Sequence, residues 1–107
     1  MENMNKAVYK YDLNVVQGSD DDMFQVVETN MPYLAKVVRF AFQNGSPRLW
    51  AIVDVDAEPS ETRKYVLIGT GAKIPTITGY ALTYRYTADY GPFVFHLFEM
   101  VDVGAKY

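Results

Sequence analysis

Apolar and polar residues alternate with a period of two along most of the chain. In residues 6–16, KAVYKYDLNVV, Tyr9, Tyr11, Leu13 and Val15 share one side and Lys10, Asp12 and Asn14 the other. That period belongs to a half-buried β-strand. Gly18-Ser19-Asp20-Asp21-Asp22 interrupts it. Gly, Ser and Asp favour turns, so a solvated loop is expected there, with at most a short helical turn near residues 20–24. Met23 to Glu28 is the next strand candidate, and Asn30-Met31-Pro32 punctuates it.

Val37–Gln43 and Leu49–Val55 read as a hairpin closed by Asn44-Gly45. Both turn residues tolerate the positive φ of a type I′ turn, whose twist matches the flanking strands. A two-residue loop sets Phe40 opposite Leu49, Arg39 opposite Trp50 and Val38 opposite Ala51. Phe40, Phe42, Val38, Leu49, Ala51 and Val53 then form one face, and Val37, Arg39, Trp50 and Ile52 the other. After the polar connector DVDAEPSE, Lys64–Thr70 is a strongly apolar strand candidate. Pro75 prevents a regular helix from starting soon after it. Tyr80–Thr87 alternates, with Tyr80, Leu82, Tyr84 and Tyr86 against Thr83, Arg85 and Thr87. Phe93–Val103 is the last strand. About seven short strands separated by turn signals predict an all-β domain, a small antiparallel sandwich or barrel.

Composition sharpens this. A chain of 107 residues is read as a single domain, residues 1–107. No cysteine is present, which removes disulfides, thiolate metal sites and cysteine catalysis, and fits a reducing cytoplasm. A net charge of −3 argues against nucleic acid as the expected partner. No apolar run reaches the length of a membrane span, and the first residues lack the pattern of a secretory leader. Nine Tyr, six Phe and one Trp exceed what one small sandwich can bury, so a homo-oligomer interface or a ligand groove is expected.

Candidate chemistry is sparse. Gly69-Thr70-Gly71 lacks the third glycine and the helix of a dinucleotide fingerprint. His96 is the sole histidine, too few for a metal site, and no serine sits in a nucleophile-elbow context. No metal, cofactor or catalytic residue is therefore expected. Glu99 shares a face with Phe93, Phe95 and Leu97, and Arg39, Arg48 and Arg85 are its strand-borne candidate partners. An arginine beside an aromatic ring can hold an anion or stack on a base. The candidate partner-binding set is Arg39, Trp50, Arg48, Arg85, Tyr84, Tyr86, His96 and Glu99.

Met31-Pro32, Gln43-Asn44-Gly45, Pro47 with Leu49-Trp50-Ala51-Ile52-Val53-Asp54, Gly69-Thr70-Gly71 with Ile74-Pro75, and Val94 to Glu99 together carry a resemblance. They resemble a family of small uncharacterised phage and bacterial proteins with the pattern MP…QNGxPxLWALVD…YGTGxxIP…VFHLFE. The likeness covers roughly residues 31–99 and departs from the pattern before and after them. It implies a phage or prophage accessory protein in the host bacterial cytoplasm, and carries no activity to transfer. The leading expectation is a non-enzymatic inhibitor of host defence that binds a host defence protein or sequesters a small nucleotide signal. A structural or assembly role in a phage particle is the alternative. A nucleotide-processing enzyme using His96 and Glu99 as acid and base is a third.

Overall fold

A computed structural model describes residues 5–19 and 24–104. Eight strands run through them: β1 (Lys6–Asp12), β2 (Asn14–Ser19), β3 (Phe24–Met31), β4 (Lys36–Gln43), β5 (Ser46–Asp54), β6 (Glu61–Gly69), β7 (Tyr80–Tyr90) and β8 (Phe93–Asp102). They form two antiparallel sheets, a three-stranded one in the order β1-β5-β4 and a five-stranded one in the order β2-β3-β6-β8-β7. The sheets pack face to face as a small sandwich. Asp20 to Asp22, and most of the helical turn expected near them, lie outside the described residues; Phe24 already belongs to β3.

The first alternating run is two strands rather than one. β1 pairs with β5, and β2 pairs with β3, so the chain changes sheets at buried Leu13. Alternation survives the change. Tyr9 and Tyr11 oppose core residues Ala51 and Leu49, and Val15 opposes core residue Val27. A period of two records which side of a strand faces the core, and both sheets share that core.

The core lies between the sheets. Leu49, Ala51 and Val53 enter it from β5, Val27 and Met31 from β3, Tyr65 and Leu67 from β6, and Leu97 from β8. Burying each large apolar side chain stabilises the fold by about 1.5–3 kcal/mol. The hairpin turn has the expected geometry, with φ of 53° at Asn44 and 82° at Gly45. Arg39 faces Trp50 and Phe40 faces Leu49, as the loop length predicts. The expected pairing of Val38 with Ala51 fails. A bulge between Val37 and Arg39 pairs Val37 with Ala51 and leaves Val38 exposed. One extra residue on one strand restores Val37 to the core side, where it packs against the cluster.

A second bulge corrects the reading of β7. Register shifts between Tyr84 and Tyr86, so Tyr84 pairs with Phe98 and Tyr86 with Leu97. The two tyrosines therefore occupy opposite faces. Tyr86 packs against the core and donates its hydroxyl to the Val37 carbonyl at 3.0 Å. Tyr84 lies outside, edge-on to Phe98 at 5.7 Å.

Val26, Val66 and Ile68 are buried too, yet they point away from the three-stranded sheet. β6 and β7 are both antiparallel to β8 between them, and so parallel to each other. Their connection, residues 70–79, must return along the sheet over one face. The inner face is taken, so it crosses the outer one. Ala72, Pro75 and Ile77 are half-buried there, and Thr70 bonds outer-face His96.

Candidate functional site

The outer face of the three-stranded sheet is built by register. Lys10 on β1, Trp50 on β5 and Arg39 on β4 are aligned partners, giving one row with the indole in the centre and a cation on each side. The next row is Val8, Ile52 and Lys36, and the row on the other side is Asp12, Arg48 and Ala41. The Arg39 guanidinium sits over the indole, 5.4 Å from the ring centroid. That contact is worth about 0.5–1 kcal/mol at an exposed site.

Charge on this face is unbalanced. Asp12 is 3.3 Å from the Nε of Arg48, and Gln43 accepts from Arg48 at 3.4 Å and from Lys10 at 2.7 Å. The Arg48 Nε is buried and misaligned with Asp12, so the pair is an ion pair without a hydrogen bond. Among the described residues, no carboxylate lies within ion-pair distance of Lys10, Lys36 or Arg39. Three exposed cations thus surround one half-buried aromatic ring.

A different charged group lies at the edge where β4 meets β7. Arg85 bonds Glu99 at 2.9 Å and Arg63 bonds Glu61 at 2.8 Å. Arg63 also donates to the carbonyls of Tyr33 and Ala35, at 3.0 and 2.9 Å, fastening the loop before β4. Val37, Arg63, Tyr65, Arg85, Tyr86 and Glu99 line a cleft of about 200 Å³ there. Burial and the nearby Glu99 charge push the Tyr65 hydroxyl up to about 12, so it stays protonated. Burial would lower the Arg63 pKa, but the hydrogen bond and charge of Glu61 outweigh this and raise it. Each arginine here has its own carboxylate.

His96 stands on the outer face of the five-stranded sheet, between two threonines. Thr70 Oγ1 is 2.8 Å from Nε2, and Thr87 Oγ1 is 2.9 Å from Nδ1. Thr70 also donates to the Val94 carbonyl at 3.1 Å, so its oxygen must accept from Nε2–H. Neutral Nδ1 then accepts from Thr87, whose oxygen is 2.7 Å from the Tyr84 hydroxyl. Glu99 opposes Tyr65 on the inner face, so His96 and Glu99 lie on opposite faces of their sheet. The geometry does not bring them together as an acid–base pair.

The eight expected residues therefore divide into three places. Arg39, Arg48 and Trp50 share the outer face of the small sheet. Arg85, Glu99 and Tyr86 meet at the inner cleft. His96 and Tyr84 join through Thr87 on the far side. Sequence reasoning missed Lys10, Lys36, Arg63 and Tyr65. Arg63 carried a signal, because Glu61 and Arg63 are two apart and share a strand face. Lys10 carried none, because nothing local says that β1 pairs with β5. Among the described residues, no three His, Asp or Glu side chains gather as metal ligands, and no helix is long and apolar enough to cross a membrane.

A family model described as "Domain of unknown function (DUF7352)" matches residues 4–106, and the chain belongs to that family. No curated protein and no solved structure matches it.

Proposed function

We propose that this family member is a binding protein without chemistry of its own, and that its Trp50 face engages an acidic surface of a protein partner. The observation that carries the reading is the aligned row Lys10, Trp50 and Arg39. Trp and Arg dominate binding energy when they sit at the centre of an interface. Uncompensated cations around them steer an acidic partner and fix its orientation. The chain carries −3 overall, so the cations of this face run against the trend of the whole. A polynucleotide suits it less, since one indole offers a single platform where single-strand binders stack successive bases.

The resemblance to phage and bacterial proteins supplies the setting. In it the chain is a small phage or prophage accessory protein of the host bacterial cytoplasm. It inhibits a host defence protein by covering an acidic surface.

The test compares wild type with the double variant Lys10→Glu and Arg39→Glu, each immobilised against host lysate. The reading expects an acidic protein held by wild type, released by raised salt and lost by the variant. Adding that protein back shifts the emission of Trp50, the sole tryptophan. Equal retention by the variant overturns the reading. So does recovery of a nucleotide or a nucleic acid as the bound species.

A further inference from the structure

The two sheets have four end strands, β1 and β4 in one and β2 and β7 in the other. Edge strands expose unpaired backbone groups and invite pairing with another chain, and bulges are a common protection. β2 carries a bulge between Val15 and Gln17, β4 between Val37 and Arg39, and β7 between Tyr84 and Tyr86. β4 and β7 also lie against each other, joined by the Tyr86–Val37 hydrogen bond. β1 differs. It pairs with β5 without a break from Lys6 to Asp12, so it is straight and regular.

The hydrogen bonds flanking β1 show which of its backbone groups are free. Val55 N–H donates to the Asn5 carbonyl at 2.8 Å, and Leu13 N–H donates to the Pro47 carbonyl at 3.2 Å. Asn5 and Leu13 thus turn their backbone groups towards β5. Antiparallel ladders alternate, so Ala7, Tyr9 and Tyr11 do the same, and Lys6, Val8, Lys10 and Asp12 turn theirs outward. Among the described residues nothing pairs with that outward edge. Beside it, Val8 is 57% and Tyr9 46% exposed.

We propose that β1 is a self-pairing edge, and that a second copy of this chain adds its own β1 antiparallel to it, centred on Tyr9. Side-chain charge selects that register. With Tyr9 opposite the partner's Tyr9, Lys6 meets the partner's Asp12 and Val8 meets the partner's Lys10, and no like charges oppose. A shift of two residues one way sets Lys6 against the partner's Lys10, and the other way sets Lys10 against the partner's Lys10. Both are disfavoured by like-charge repulsion. A shift of one residue sets outer-face lysines against inner-face tyrosines and loses the common core side. In the favoured register the outward groups of Lys6, Val8, Lys10 and Asp12 become hydrogen-bonded pairs. Tyr9 becomes a non-hydrogen-bonded pair, where side chains approach most closely. The result is a continuous six-stranded sheet that joins the Trp50 faces of both copies. The pairing itself does not depend on what those faces bind.

The experiment uses light scattering with three single variants. Wild type is expected to be a dimer. Val8→Pro removes an outward N–H, and proline is tolerated on the open side of an edge strand. It should weaken self-association about tenfold or more while leaving the melting temperature of the monomer in place. Because the chain has no cysteine, Tyr9→Cys reports on the register directly. Non-hydrogen-bonded antiparallel pairs have the Cα separation that a disulfide needs, so mild oxidation should cross-link Tyr9→Cys. Val8→Cys, opposite the partner's Lys10, should stay uncross-linked. A wild-type monomer at millimolar concentration overturns the proposal. So does a dimer that persists in Val8→Pro, or equal cross-linking of the two cysteine variants. If Val8→Pro fails to fold, the cysteine pair decides alone.

Discussion

Two groups of arginines and lysines stand on this small sandwich, and they differ in what surrounds them. At the β4–β7 edge, Arg63 and Arg85 each hold a carboxylate below 3 Å, and Arg63 also binds two carbonyls of the preceding loop. On the outer face of the three-stranded sheet, Lys10, Lys36 and Arg39 surround Trp50 with no described carboxylate in reach. The first group is spent on architecture. The second has its charge left over, and left-over charge beside an aromatic ring is what a partner can use.

The largest test of this contrast is Arg63→Met. It strands Glu61 and frees the carbonyls of Tyr33 and Ala35 in a largely buried setting. Urea unfolding should show a loss of about 2–3 kcal/mol, with capture of the acidic partner intact. A variant that folds equally well but no longer binds would reverse the assignment of the two groups.

Next in size is the alkaline limit. Tyr65 titrates near 10 in the unfolded chain and at about 12 in the fold, so the folded state holds its proton longer. Its contribution is complete below pH 10 and is lost as pH rises towards 12, by roughly 2 kcal/mol in total. Tyr65→Phe should flatten that part of the stability–pH curve, measured by urea unfolding at several alkaline pH values. An unchanged slope would show that the cleft is wetter than its residues imply.

Arg85→Ala should cost less, about 0.5–1 kcal/mol, because the Arg85 side chain is 43% exposed and solvent screens its pair with Glu99. Thermal melts resolve that difference. Smallest for stability are Lys10→Ala and Arg39→Ala, each within about 0.5 kcal/mol of wild type. These two should nevertheless abolish partner capture. If they destabilise the fold as Arg63→Met does, the outer face is architecture as well.

Much of this was legible in the chain. Asn44-Gly45 named its own turn, because positive φ at two successive positions is a local demand that few residue pairs meet. The resulting register placed Arg39 beside Trp50 correctly. Alternation named the core side of residues 9–15 even though that stretch divides between two sheets. Arg85 as a partner for Glu99 was also readable from strand faces. The failures share a cause. Val38 and Arg85 are bulge residues, and nothing in their immediate sequence marks them. A bulge appears where the facing strand and the core demand a change of side, so it depends on residues far along the chain.

Sequence by itself determined an all-β, cysteine-free chain, a type I′ hairpin, and the inward side of most strands, because turn chemistry and period-two patterning act over a few residues. Tertiary structure decided the rest. Pairing of β1 with β5 brought Lys10 to Trp50, across about forty residues of chain. The bulge in β7 turned Tyr84 and Tyr86 to opposite faces. Sheet alternation then separated His96 from Glu99. Each of these is a contact between distant segments, fixed by the shared core rather than by any local preference.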